Sequence, residues 1–201
     1  LLWSSWSAAS EVYKGQVMEL LDGLDLETLV TRHGRLPPER AVYLLVQICD
    51  SLHDAHRQGL VHRDIKPANI MICRQGAERD FVKVLDFGIS KVQAGPSKLT
   101  RTGTVMGTPY YMSPELFQEG GVYSFYSDFW AFGCILYEFA TGHPPFVSSK
   151  FQELVNQILN AEVPSVPNYG EDFNNLLSEL FQKDPAKRIS WEELTEHPFW
   201  T

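Results

Sequence analysis

The sequence predicts an α+β chain, mainly helical with one small β-hairpin. Two observations carry that expectation. Apolar residues recur at three- and four-residue steps through most of the chain, and only a few short apolar runs read as strands. A third observation bears on function. Residues 88 to 120 are rich in Gly, Ser, Thr and Pro, and a long irregular stretch inside a compact domain is commonly a working segment.

Residues 1–16 show no period and are set apart as an irregular N-terminal segment, whereas 17–201 read as one unit. "QVMELL" predicts a short strand and "DGLD" the turn that ends it. "LETLVTRHG" predicts a helix stopped by Gly34. From Pro38 to Gly59, Val42, Leu45, Val46, Cys49, Leu52 and His56 mark one face of a long amphipathic helix. "NIMIC" and "FVKVLDF" follow, with "RQGAERD" as the loose turn of a hairpin. "DFWAFGCILYEFATG" is apolar nearly all round and predicts a buried central helix ending at Gly142. "SKFQELVNQILNAE" and "DFNNLLSELFQKD" are amphipathic, and Ser190 with Glu193 has capping-box spacing.

Charge narrows the function classes. The net charge is −8, which disfavours broad affinity for nucleic acid or an anionic membrane. No apolar run approaches the ~18 residues of a membrane span, and "LLWSSWSAAS" lacks the basic start of a signal peptide, so the expected location is cytoplasmic. Cys49, Cys73 and Cys134 are far apart, without metal-ligand spacing, and read as reduced packing residues.

The stretch "VHRDIKPANIMI", residues 61 to 72, crowds polar groups at the mouth of an apolar strand. In an antiparallel hairpin the start of the first strand lies beside the end of the second, which puts Asn69 next to Asp86, with Asp64 in the loop just upstream. Asn69 and Asp86 offer two hard oxygen ligands. That suits Mg²⁺, which completes its octahedron with water and phosphate. Asp64 is then placed to accept a proton, and Lys66 to face a transferring phosphoryl group. "HDAH", residues 53 to 56, has two histidines on adjacent turns, but no third ligand is evident and His56 falls on the apolar face, which points to core packing.

"HRDIKPAN", "DFG" and "SPE" resemble the catalytic-loop and activation-segment motifs of eukaryotic-like serine/threonine protein kinases, in order and over nearly the whole chain from Val17 to Trp200. Up to residue 115 the likeness is to bacterial members; the remainder is more similar to a eukaryotic branch. The resemblance implies a kinase-like large lobe that uses ATP and Mg²⁺ to phosphorylate serine or threonine of a protein substrate. It makes Asp64 the catalytic base, Lys66 the phosphate-contacting lysine, and Asn69 and Asp86 the magnesium ligands. Thr108 bridges the activation segment to the catalytic loop, Glu115 pairs with Arg188, and Asp128 anchors the central helix. "VMELLDGLD" resembles the hinge between lobes. There Met18 would be the gatekeeper, Glu19 and Leu21 would bond adenine through their backbones, Asp25 would contact ribose, and Met71 would form the floor under the ring. Arg63 would pair with a phosphate on the activation segment, at Thr102 or Thr104.

The 16 residues before "VMEL" hold no G-x-G-x-x-G and no room for the lysine and helix glutamate of a small lobe, which is expected to be absent or vestigial. Such a chain would expose an apolar face that a partner could cover, and would be weakly active or inactive alone. The alternative is a non-catalytic, kinase-like binding module.

Overall fold

The computed structural model describes residues 19–75, 78–87 and 109–200, leaving aside the side chains of residues 75 and 78. Three strands, β1 (Gly23–Asp25), β2 (Ile70–Gln75) and β3 (Glu78–Val84), form one antiparallel sheet in the order β1-β2-β3. The helices are α1 (Leu26–His33), α2 (Pro38–Arg57), α3 (Phe125–Thr141), α4 (Phe151–Asn160), α5 (Gly170–Leu180) and α6 (Trp191–Thr195).

The strand expected over residues 16–21 is not where the sheet begins. Residues 19–22 are irregular, and the strand is the Gly23–Asp25 stretch assigned to a turn. Glycine is the reason. A Cβ at Gly23 would lie 2.2 Å from the Ile72 carbonyl oxygen, so the missing side chain lets β1 pair closely with β2. The hairpin is also tighter than expected, since Arg74, Gln75 and Glu78–Asp80 belong to the strands.

On β3 the unpaired edge is covered from α2. Gln47 donates to the Asp80 carbonyl and accepts from the Val82 N–H, both at 3.0 Å. Asp80 adopts φ 62°, and Arg40 holds its carboxylate through two bonds of 2.8 Å.

Helix α2 buries Ala41, Leu44, Leu45, Ile48, Cys49, Leu52, Ala55 and His56. Val46, expected on that face, is 41% exposed because the buried stripe centres one position away, on Leu45. Helix α3 is buried from Ser127 to Ala140, as its all-round apolar sequence predicts, and ends on Gly142 in the left-handed conformation. Its start lies three residues earlier than expected, where Ser124 and Ser127 form a reciprocal capping box. A Cβ at Gly133 would sit 3.1 Å from that of Leu180, so this glycine sets the close approach of α3 and α5. Trp130, Phe146 and Phe181 pack edge-on and stacked around the crossing. Each such fully buried apolar side chain contributes roughly 1.5–3 kcal/mol relative to exposure. All three cysteines are buried and free.

Candidate active site

The loop joining α2 to β2 is fixed from beneath by one carboxylate. Asp128, in the first turn of α3, accepts from the His62 N–H at 2.8 Å, the Arg63 N–H at 3.0 Å and His56 Nε2 at 2.8 Å. Trp191 on α6 donates its indole N–H to His56 Nδ1 at 3.0 Å. That bond makes Nδ1 the acceptor, so the proton sits on Nε2 and His56 donates to Asp128. His56 is thus a core residue stacked on Phe125, as its place on the apolar face implies.

His62, also fully buried, works the same way beside Asp128. Its Nδ1 accepts from the Asp64 N–H at 3.3 Å, and its Nε2 donates to the Leu85 carbonyl at 2.8 Å. Burial pushes its pKa down, outweighing the Leu85 carbonyl and the nearby Asp128, Asp64 and Asp86, which favour the cation. His62 therefore stays neutral and couples the loop to the end of β3. Arg63 is held at φ 69°, a left-handed conformation that its N–H bond to Asp128 stabilises.

Asp64 and Asn69 meet directly. The Asn69 amide donates to the Asp64 carbonyl at 2.8 Å and to Asp64 Oδ2 at 3.1 Å, while Lys66 Nζ donates to the same oxygen at 3.0 Å. Using its NH₂ on Asp64 leaves Asn69 Oδ1 as the group's acceptor. The end of β3 is tied in through Leu85, whose N–H donates to the Asn69 carbonyl at 2.8 Å. Phe87 packs on the His62 ring, with centroids 4.6 Å apart. Asp86 sits between these two anchored residues at φ 54°, is exposed, and accepts no hydrogen bond from a described residue. Backbone placement thus brings residues 64, 66, 69 and 86 to one end of the hairpin.

The donor set fits Mg²⁺. Among the described residues no group of three or more His, Cys, Asp and Glu could enclose a metal, whereas Asn69 and Asp86 would supply the one or two oxygens Mg²⁺ needs when phosphate and water complete its shell.

Of the residues expected to form the hinge and adenine site, Asp25 and Met71 fall in one row across the sheet. Asp25 lies opposite Met71, and Met71 opposite Lys83. Lys83 holds the exposed Glu19 carboxylate at 2.6 and 2.7 Å. Leu21 is half-buried. Asp25 caps α1, its two oxygens taking the Thr28 N–H and hydroxyl at 2.7 Å. Burial would raise its pKa, but those bonds hold it below the usual value. Met18, Thr102, Thr104 and Thr108 lie outside the described residues.

Deeper in the fold, Arg188 grips Glu115 through two bonds of 3.0 Å and also donates to the Gln182 carbonyl. Burial alone would raise the Glu115 pKa; the guanidinium overrides it and holds the carboxyl low. A second buried glutamate behaves oppositely. Glu138 accepts from the Tyr111 hydroxyl at 2.7 Å, and burial pushes its pKa up despite that bond. Arg63, Asp64 and Lys66 line a common cleft with Tyr111, Met112 and Tyr123. Sequence reasoning missed His62, Trp191, Tyr123 and the Tyr111–Glu138 pair. Only His62, inside "VHRDIK", had a local signal.

The protein kinase domain family matches residues 2–200. "Serine/threonine-protein kinase RUNKEL" of Arabidopsis thaliana is 43% identical over 185 residues, which is 92% of this chain and 13% of that protein. "Serine/threonine-protein kinase PknB" of Mycobacterium leprae is 43% identical over 176 residues, 86% of this chain and 28% of that protein. Among solved structures, Rad53 1-466 in complex with AMP-PNP superposes with a TM-score of 0.74 at 29% identity, covering 92% of this chain and 46% of that one. The chain belongs to the protein kinase family, and its mainly helical fold with a small sheet is the kinase-like one expected. It spans under a third of either curated relative.

Proposed function

We propose that the chain forms the catalytic half of a serine/threonine protein kinase, which moves the γ-phosphoryl group of ATP to a protein hydroxyl. The observation that carries this reading is the direct contact of Asp64 with Asn69, beside an Asp86 anchored on both sides. Asp64 orients the substrate hydroxyl and takes its proton, with Lys66 and Asn69 holding the carboxylate in place. Lys66, once a phosphate is present, offers its ammonium to the transferring group. Asn69 Oδ1 and the Asp86 carboxylate hold Mg²⁺, which when bound screens the negative charge of the phosphates.

In this reading Met18, Glu19, Leu21 and Met71 form the adenine site. Asp25 contacts ribose while capping α1. Thr108 joins the activation segment to the loop, and a phosphate at Thr102 or Thr104 pairs with Arg63. The Arg63 Nε is buried and has no partner among the described residues, which suits such an anion. Glu115, Arg188 and Asp128 act as scaffold. No helix among the described residues is long and apolar enough to cross a membrane, and we place the protein in the cytoplasm.

The 201 residues contain no G-x-G-x-x-G, the one observation favouring a non-catalytic binding module. It also means that the chain alone transfers phosphate slowly, since losing one positioning element typically costs 10²–10³-fold. The test uses radiolabelled ATP and a serine/threonine peptide mixture, on this chain and on a fusion that places the PknB small lobe ahead of Val17. Transfer by the fusion, lost in its Asp64→Asn form, supports the kinase reading. A fusion that binds nucleotide yet transfers nothing supports the binding module.

A further inference from the structure

A second cleft lies where the sheet meets α1 and the start of α2, with a volume of about 330 Å³. Its apolar lining comes from Leu24, Leu29 and Ile72, and Gly23 adds no side chain to fill it. Leu24 is 39% exposed. Three arginines, Arg40, Arg74 and Arg79, complete one side.

These arginines are not equivalent. Arg40 is committed to Asp80 through two hydrogen bonds. Arg74 and Arg79, on neighbouring strands, make no side-chain hydrogen bond or ion pair with any described residue. Among the described side chains Asp22 is the remaining acid in the lining and forms no such bond either, so of these, two uncommitted guanidiniums stand against one carboxylate. The chain has 25 acidic residues to 17 Lys and Arg, so a surface arginine finds a carboxylate easily, yet these two are left together. Like charges on adjacent strands repel, and an anionic occupant would relieve the repulsion.

We propose that this cleft docks an acidic peptide segment of a partner protein, seating an aliphatic side chain on Leu24, Leu29 and Ile72 and carboxylates on Arg74 and Arg79. Charge complementarity on an otherwise acidic molecule selects this occupant, and the mixed apolar and cationic lining sets its pattern. The cleft excludes Asp64, Asn69 and Asp86. Arg74 lies roughly 17 Å along β2 from Asn69, so docking there leaves the phosphoryl-transfer end of the hairpin open. The interaction needs no transfer activity and stands apart from the kinase reading.

The test reads binding alone. A fluorescein-labelled peptide of repeated Glu-Glu-Leu triplets is titrated with the 201-residue chain and followed by anisotropy, beside a Lys-Lys-Leu control. Saturable binding of the acidic peptide only is expected. Exchanging both cations, Arg74→Glu with Arg79→Glu, should weaken it roughly tenfold or more, and added salt should weaken it further. Both side chains are exposed, so the melting curve of the double variant should not move. Should it move, Arg74→Gln with Arg79→Gln replaces it, and hydrogen exchange must show protection at residues 22–25 and 70–75. Absence of binding up to about 1 mM peptide, equal binding by the double variant or by the basic control, or protection confined to residues 61–69 would overturn the assignment.

Discussion

The loop over residues 61–69 and the strand end beside it have a closed side and, in the proposed reading, a working side, and their polar groups are treated differently. On the closed side Asp128 is almost fully buried and takes three hydrogen bonds, one from a histidine that an indole holds in turn. On the working side Asp86 is exposed and accepts nothing from a described residue, and Asn69 keeps an oxygen in reserve after its amide is used. A saturated carboxylate can position but cannot bind anything new. A less committed one retains capacity for a cation or a substrate. Anchoring and openness thus fall to separate acids, and the saturated one, Asp128, is what keeps a strained loop with Arg63 at φ 69° in one shape.

This contrast can be broken by mutation. The largest stability effect should come from Asp128→Ala, which strands the His62 and Arg63 N–H groups in the interior. We expect about 3–5 kcal/mol less unfolding free energy in urea. A loss below about 1 kcal/mol would mean that the loop does not depend on this anchor.

Glu115→Gln should come next, at about 3 kcal/mol at neutral pH, because it leaves the buried Arg188 without its counter-charge. Here pH sharpens the comparison. The folded carboxyl titrates below the ordinary value of 4.5, so its stabilisation is fully present above that pH and is lost as the pH falls through the lower folded value. Acid melts of the variant should lack that increment. Glu138 has the opposite sign. Its raised pKa means that the buried charge opposes folding at neutral pH and that this penalty fades on acidification. Glu138→Gln keeps an acceptor for Tyr111 and should be neutral or stabilising by about 1 kcal/mol. A Glu138→Gln melt well below wild type would reverse the sign.

Smaller effects belong to the working side. Asp86→Asn should change stability by no more than about 0.5 kcal/mol while abolishing the Mg²⁺ dependence of nucleotide binding in calorimetric titration. Lys83→Ala, which removes the exposed partner of Glu19, should cost about 0–1 kcal/mol.

What the sequence reveals follows the reach of each interaction. The Ser190–Glu193 capping box, the Gly142 stop and the bond that ties Leu85 to Asn69 at the hairpin end are local or follow from one hairpin, so they can be read from spacing. The Trp191–His56 bond spans 135 positions, and no pattern in either segment announces it. Gly23 misleads for a different reason. Glycine marks turns and close backbone approach alike, and only the Ile72 carbonyl beside it tells which applies. Val46 shows how a helical stripe can be right in period and displaced at its edge.

The most direct test joins the two sides in one sample. Asp64→Asn in the PknB small-lobe fusion would be assayed for phosphoryl transfer and for urea unfolding side by side. A fall in rate of about 10²–10⁴-fold with unfolding free energy within about 0.5 kcal/mol of the parent is the expected result. Undiminished transfer, or a rate that falls only as far as the protein unfolds, would contradict the role given to Asp64.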